Sequence, residues 1–117
     1  MQNLFQFFTC NIRSLSKNLN LLEELLCSLD FKLDLLGITE TKLGEKSISN
    51  VNIKGYNFFH TDLPTNAGGA ALYIANTLKA VPRPDIKFDV ALVESCWAEI
   101  DAGYSKKKII IGCIYID

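Results

Sequence analysis

The segment Leu33-Asp34-Leu35-Leu36-Gly37-Ile38-Thr39-Glu40-Thr41-Lys42 decides how the rest of the chain is interpreted. Five of its first six residues are apolar or glycine, which is typical of a strand that is buried on both faces. The run then ends in four polar residues, which include Glu40. Because α/β folds collect functional groups at the carboxyl ends of buried strands, we predict a central strand that delivers Glu40 to a functional edge. A plain strand followed by a polar turn fits the same residues.

The sequence before this segment predicts a strand, a helix and a parallel crossover. Residues 4–10 are rich in aromatic side chains and form the expected first strand. Leucines then recur at intervals of three and four through the expected helix body, Asn18 to Leu29, and Ser14 or Ser16 is its expected N-cap. A strand, a helix and a second strand in this short space indicate a right-handed crossover between parallel strands.

The sequence after the segment predicts an antiparallel meander. Residues 43–54 are mostly small or polar and predict a surface loop. Strands are expected at residues 55–60, 68–75, 92–100 and 109–116, separated by turns at residues 61–66 and 82–85 and by a polar hairpin connection at residues 101–108. An antiparallel second half after a parallel start places the fold in the α+β class.

The composition describes one globular unit. The chain has 117 residues, of which 49% are hydrophobic and 21% charged, so it has enough apolar surface to form a core. Its net charge of -1 does not indicate a basic nucleic-acid-binding face, although a nuclease that meets phosphate through metal ions does not require one. No apolar run approaches the ~18 residues that span a membrane.

The cysteine spacing and the single histidine argue against disulfide bonds and against a zinc site. Cys10, Cys27, Cys96 and Cys113 form no Cys-x-x-Cys pair, so we expect reduced thiols in an intracellular protein, nuclear or cytoplasmic. His60 is the only histidine, and no ligand spacing fits a zinc site.

An ordered series of motifs gives the sequence a resemblance to a known family. In chain order the motifs are Asn11-Ile12-Arg13-Ser14-Leu15, Asp34-Leu35-Leu36-Gly37-Ile38-Thr39-Glu40-Thr41, Gly55-Tyr56, Gly68-Gly69-Ala70-Ala71-Leu72-Tyr73-Ile74, Glu94-Ser95-Cys96-Trp97 and Ile111-Gly112-Cys113-Ile114-Tyr115. Together they resemble the amino-terminal half of the endonuclease/exonuclease/phosphatase family. The resemblance is greatest to the apurinic-type endonuclease domain of non-LTR (LINE-type) retrotransposons.

The resemblance implies a fold, an activity and a set of site residues. The family fold is a four-layer α/β/β/α sandwich, of which residues 1–117 would be the amino-terminal half, a mixed sheet with a flanking helix. The family's enzymes cut phosphodiester or phosphomonoester bonds with Mg²⁺ or a similar cation such as Mn²⁺, and the retrotransposon type implies a DNA substrate. Glu40 matches the metal-binding glutamate, Asn11 the asparagine that orients groups around the metal, and Tyr115 the tyrosine that contacts the phosphate. Asp34 matches an aspartate at the other end of the strand and is given a structural role.

The chemistry of these residue types agrees with the implied roles. Mg²⁺ takes oxygen ligands, commonly one or two carboxylates with water and substrate phosphate. An asparagine amide and a tyrosine hydroxyl can both donate to phosphate oxygens. Each residue also has a plain interpretation, because Asn11 fits a turn former and Tyr115 fits half-buried packing.

The sequence also departs from the family pattern. The resemblance leads us to expect a later Asp-x-Asn pair, a further aspartate and a final Asp-His pair, none of which is present, and His60 lies in the wrong motif. We therefore expect a truncated endonuclease domain that is inactive alone, binds metal weakly or not at all, and leaves a sheet face uncovered for its missing half or for self-association. A non-catalytic remnant, or a binding module that reuses half of the fold, is the alternative.

Overall fold

The computed structural model describes residues 6–43, 50–61, 68–88, 93–101 and 108–116. One helix and seven strands lie in these ranges, and the predicted helix and strands occur within a few residues of their expected ends. In order they are β1 (Phe7–Asn11), α1 (Leu15–Ser28), β2 (Leu35–Thr39), β3 (Tyr56–His60), β4 (Ala70–Ala75), β5 (Lys79–Pro82), β6 (Val93–Asp101) and β7 (Lys108–Ile116). Most of the predicted turn at residues 61–66 and of the predicted connection at residues 101–108 lies outside the described residues.

The strands form two sheets. The first has the order β1-β2-β4-β3 and the second the order β5-β6-β7. β1 runs parallel to β2, with Asn11 opposite Thr39, which confirms the predicted parallel crossover through α1. β4 lies between β2 and β3 and runs antiparallel to both, so the first sheet is mixed. The second sheet is an antiparallel meander.

Two apolar cores hold three layers together. α1 covers one face of the first sheet and buries a core that includes Leu15, Ile38 and Tyr73. The second sheet covers the other face and buries a core that includes Leu72, Ile74, Cys96, Ala98 and Ile100. The predicted α+β class, with a mixed sheet and a flanking helix, is confirmed. No helix among the described residues is long and apolar enough to cross a membrane.

One local prediction from the sequence is wrong, and one strand was not predicted. Residues 43–54 were expected at the surface, yet Val51 and Ile53 are buried in the core beneath α1. The Tyr73 hydroxyl donates to the Val51 carbonyl oxygen at 2.5 Å, so an irregular segment satisfies a buried phenol. Residues 79–81 were given no strand, but they form β5, which ends at Pro82, where proline is tolerated because β5 is an edge strand.

The expectation of an uncovered sheet face is also wrong in its location. The chain crosses to a second sheet after β4, so the inner faces of the two sheets cover each other. Exposed apolar side chains lie instead on β1, where Phe7 is 63% exposed, and on β7, where Ile114 and Ile116 are 42% and 70% exposed. A mainly apolar cavity of about 190 Å³ lies between these strands and includes Phe7, Leu35 and Cys113 in its lining.

The burial of the cysteines predicts the order in which their thiols react with an alkylating reagent. Cys27 is exposed, whereas burial raises the pKa of Cys96 to about 12 and raises that of Cys113 above its usual value. Because the thiolate is the reactive form, its fraction at Cys96 is on the order of 10³-fold below that of an ordinary thiol at pH 8. Iodoacetamide should therefore label Cys27 first, as followed by peptide mass spectrometry.

The variant Cys27→Ser should lose this fast reaction, and all remaining thiols should react quickly in urea. Rapid labelling of Cys96 in the folded protein would contradict the packing of the two sheets.

Candidate active site at the carboxyl ends of β1 and β2

Both sheets bring polar side chains to one end of the sandwich. The parallel strands β1 and β2 end there with Asn11 and Thr39, and β4 begins there, because Thr39 lies opposite Ala70. In the second sheet, Glu94 near the start of β6 lies opposite Tyr115 near the end of β7. Because directly opposite residues on antiparallel strands project from the same face, these two side chains are neighbours.

Glu40 follows β2 directly, and the backbone holds it on both sides. Its N–H donates to the Gly69 carbonyl oxygen at 2.9 Å, and its own carbonyl oxygen accepts from the Ser14 N–H at 2.8 Å. Its φ of 57° is a left-handed conformation that few residues other than glycine adopt. The side chain is therefore presented from a fixed backbone at the predicted edge.

Tyr115 contacts Glu40 across the two sheets. The Tyr115 hydroxyl donates to Glu40 Oε1 at 3.0 Å, although the two residues are 75 positions apart in sequence. The second oxygen, Oε2, accepts no hydrogen bond from the described residues. The phenol thus fixes one oxygen of the carboxylate and leaves the other for a ligand. This structure brings together two of the residues that the resemblance indicated.

Asn11 lies beside this pair without bonding to it. Its Oδ1 accepts from the Arg13 N–H at 3.2 Å, the local bond of a turn-forming asparagine. No hydrogen bond joins Asn11 to Glu40 within the described ranges. The interpretation of Asn11 as a turn former accounts for this contact, and its side-chain amide donates to none of the described residues.

Backbone strain is concentrated at this end of the sandwich. Of the seven described residues with positive φ, six lie here, and Gly55 is the exception. The six are Arg13, Ser14, Glu40, Lys42, Gly68 and Gly69. In the four that are not glycine, such conformations persist only where surrounding contacts fix them, and they are common at functional sites. Here the bonds of Glu40 to Ser14 and Gly69 supply two of those contacts.

The Gly68–Gly69 turn packs against two polar side chains. The Gly69 N–H donates to the Glu94 carboxylate, and the Gly68 carbonyl oxygen accepts from the Lys42 N–H at 2.8 Å. A side chain on Gly69 would collide with Thr41 Oγ1. Glycine is required here both by its positive φ and by this close approach.

Sequence reasoning missed the contact of Glu94. Glu94 belongs to a motif of the resemblance but was given no role. The only available signal was its place near the start of β6, opposite Tyr115, and that signal appears only once the strands are paired in register.

Asp34 and His60, the other residues considered in the sequence, take no part in the contacts described above. Asp34 is at the other end of β2, where its carboxylate accepts from the Gln6 N–H at 2.9 Å, which supports a structural role. The His60 ring stacks on Phe58 in β3, with ring centroids 5.4 Å apart.

The oxygen donors suit a hard cation only in part. Glu40 offers one carboxylate oxygen and Asn11 lies on the adjacent strand end, and both are ligand types that Mg²⁺ accepts. The described residues contain no group of three or more histidine, cysteine, aspartate or glutamate side chains that could hold a metal ion. The set fits one side of a magnesium shell and would need water, phosphate or further side chains to complete it.

Comparison with known proteins shows the fold. No protein-family model and no curated protein matches the sequence. Among solved structures, the AP endonuclease LMAP from Leishmania major matches with a TM-score of 0.69 and 17% identity over 97% of this chain. The endonuclease domain of TRAS1, a telomere-specific non-LTR retrotransposon, matches with a TM-score of 0.61 and 13% identity over 97% of this chain.

A third structure agrees with these two. The catalytic domain of Xenopus laevis APE2 matches 95% of this chain with a TM-score of 0.53 and 14% identity. The chain spans 40%, 45% and 44% of the length of the three structures, respectively. The fold over the chain is therefore of the endonuclease/exonuclease/phosphatase type, as the motifs indicated.

The fit of Gly69 against Thr41 can be tested by a double-mutant cycle. Gly69→Ala should lower the free energy of unfolding by about 1–3 kcal/mol, because alanine resists this φ, and the collision with Thr41 should add to the loss. In a Thr41→Ala background the same change should cost less, since the collision is then removed. Urea denaturation of the four proteins measures both terms. Equal costs in the two backgrounds would contradict the close approach.

Proposed function

We propose that this chain, which has the endonuclease/exonuclease/phosphatase fold over its length, is the amino-terminal part of a metal-dependent DNA endonuclease. The hydrogen bond between Tyr115 and Glu40 Oε1 carries the proposal, because it orients a carboxylate at the strand ends whose other oxygen accepts no hydrogen bond from the described residues. The likeness to AP and retrotransposon endonuclease domains supports a nuclease. The retrotransposon type rests on the motifs of the sequence.

Glu40 is the residue that would hold the cation, Mg²⁺ or Mn²⁺, and Asn11 would orient groups around it. When bound, such an ion stabilises the charge that develops at phosphorus and lowers the pKa of an attacking water. Glu40 Oε2 would be the protein ligand, and the Asn11 amide would donate to a phosphate or carboxylate oxygen beside it. These two residues follow neighbouring parallel strands, so the sheet fixes their separation.

Tyr115 has a positioning role in this proposal. Its hydroxyl holds Glu40 Oε1, which limits the rotation of the carboxylate and keeps Oε2 turned toward the ligand. In the complete domain, the same hydroxyl is also proposed to donate to a phosphate oxygen of the substrate. Positioning of this kind lowers the barrier by reducing the reorganisation that must accompany reaction.

Residues 1–117 are proposed to be part of a longer domain. β1 and β7 are edge strands of the two sheets and carry exposed apolar side chains, Phe7 and Ile116 among them, which a further segment of such a domain would cover. Self-association of the chain would cover the same surface. DNA is the proposed partner of the complete domain, and the nucleus or cytoplasm is the proposed location. The alternative is a non-catalytic remnant or a binding module that reuses the half-fold.

Paramagnetic broadening by Mn²⁺ tests the metal site in the chain itself. In two-dimensional NMR spectra, substoichiometric Mn²⁺ should first broaden the amide signals of Glu40, Asn11 and Gly69, because relaxation by the ion falls steeply with distance. Glu40→Gln should abolish this effect, while Glu24→Gln, which changes an exposed helix residue, should not. Broadening that is unchanged in Glu40→Gln would exclude Glu40 as the ligand.

Nicking of supercoiled plasmid tests the catalytic part of the proposal. The 117-residue chain should show no Mg²⁺-dependent nicking above background. The native transcript should be read past the codon for Asp117, and a product with the later Asp-x-Asn and Asp-His pairs should nick DNA. Glu40→Ala in that product should lower the rate by ~100-fold or more, since metal stabilisation is worth several kcal/mol.

The variant Glu24→Ala of the same product should retain full nicking activity. A stop codon directly after Asp117 would instead favour the non-catalytic alternative, and nicking by the 117-residue chain would contradict its proposed incompleteness.

A further inference from the structure

A chain of contacts joins Glu94 to Glu40 through the Gly68–Gly69 turn. The Glu94 carboxylate accepts from the Gly69 N–H, and the Gly69 carbonyl oxygen accepts from the Glu40 N–H at 2.9 Å. The Glu40 carboxylate in turn accepts from Tyr115, which lies opposite Glu94 on the neighbouring strand. The contacts therefore close a ring that includes both sheets.

The Glu94 carboxylate also packs directly against the turn. A side chain on Gly68 would lie 2.5 Å from Glu94 Oε2, so the carboxylate occupies the space beside the glycine backbone. The Gly68 carbonyl oxygen accepts from the Lys42 N–H at 2.8 Å. The two glycine carbonyl groups thus hold the backbone at Glu40 and at Lys42, on either side of the strained turn that follows β2.

We propose that Glu94 is a positioning residue for Glu40. By holding the Gly69 amide, its carboxylate fixes the turn whose carbonyl groups hold the backbone of Glu40. A charged acceptor suits this task, because hydrogen bonds to a carboxylate are stronger than those between neutral groups. The functional part of this inference rests on the proposed metal site at Glu40, whereas the structural part does not.

The role has a physical rationale in the strain at this edge. Glu40 and Lys42 have positive φ although neither is glycine, and such conformations need outside contacts to persist. Glu94 reaches the turn from the second sheet and so supplies a contact that the first sheet alone cannot make. Without the Glu94 contact, the Gly68–Gly69 turn would be less well fixed, and so would the Glu40 backbone that it holds.

Hydrogen exchange of metal-free protein tests the structural part. Glu94→Ala should speed exchange of the Glu40 and Lys42 amides by ~10-fold or more, because the turn that accepts from them loses its anchor. Glu94→Gln should restore most of the protection, since its amide oxygen can accept from Gly69. Glu99→Ala is the matched control, because Glu99 lies on the same strand but bonds Arg83 and Lys108.

The same variants tested with Mn²⁺ separate this inference from the proposed function. Glu94→Ala should raise the Mn²⁺ concentration needed to broaden the Glu40 amide by ~10-fold, and Glu94→Gln should not. Unchanged exchange in a folded Glu94→Ala protein would overturn the inference, whatever the Mn²⁺ result. Unchanged exchange with lost Mn²⁺ binding would overturn it in favour of Glu94 as a ligand.

Two further outcomes of these experiments are absent Mn²⁺ broadening and a Glu94→Ala protein that does not fold. If wild-type protein shows no Mn²⁺ broadening at Glu40, the chain alone holds no metal site and the nicking assay of the longer product decides the proposed function, while the exchange data still decide the structural role. If Glu94→Ala does not fold, Glu94→Asp replaces it, because its carboxylate is one methylene shorter and should leave the Glu40 amide less protected. Wild-type protection in a folded Glu94→Asp protein would overturn the inference.

Discussion

The burial of the central strands on both faces is the constraint on which the rest of the structure depends. All six residues of β4 are buried, as are Leu35 to Ile38 of β2. One face of these strands contacts α1 and the other contacts the second sheet. Since burial of a large apolar side chain contributes about 1.5–3 kcal/mol, both layers are needed to stabilise the pair. The layers in turn fix where these strands end.

The packing of the two cores stabilises the strained backbone of the candidate site. Strained residues cluster where β1 and β2 leave the sheet, and each such conformation costs energy that must be offset elsewhere. Glu40 comes from the first sheet, while Tyr115 comes from the second. The geometry of the site is therefore a property of the packed sandwich and not of any single loop. A change deep in the core between the sheets would move Tyr115 relative to Glu40.

The sequence predicted the helix and strands whose patterns lie within their own residues. The apolar run of β2 and the leucine spacing of α1 identified both elements, and the end of that run identified Glu40. β5 and the burial of Val51 were missed because they depend on tertiary partners, Glu99 and Ile100 across the ladder for β5 and the Tyr73 hydroxyl for Val51. Tyr115 was found only through family resemblance, since its partner is far away in sequence. Glu94 had no role in the resemblance and was missed.

The 75 residues between Glu40 and Tyr115 have a consequence for synthesis on the ribosome. The crossover of β1, α1 and β2 is local in sequence, so it can form early, whereas pairing between distant segments is slow and comes late. Glu40 therefore emerges from the exit tunnel long before the phenol that orients it. A nascent chain carries the carboxylate without its partner until β7 has been translated and docked.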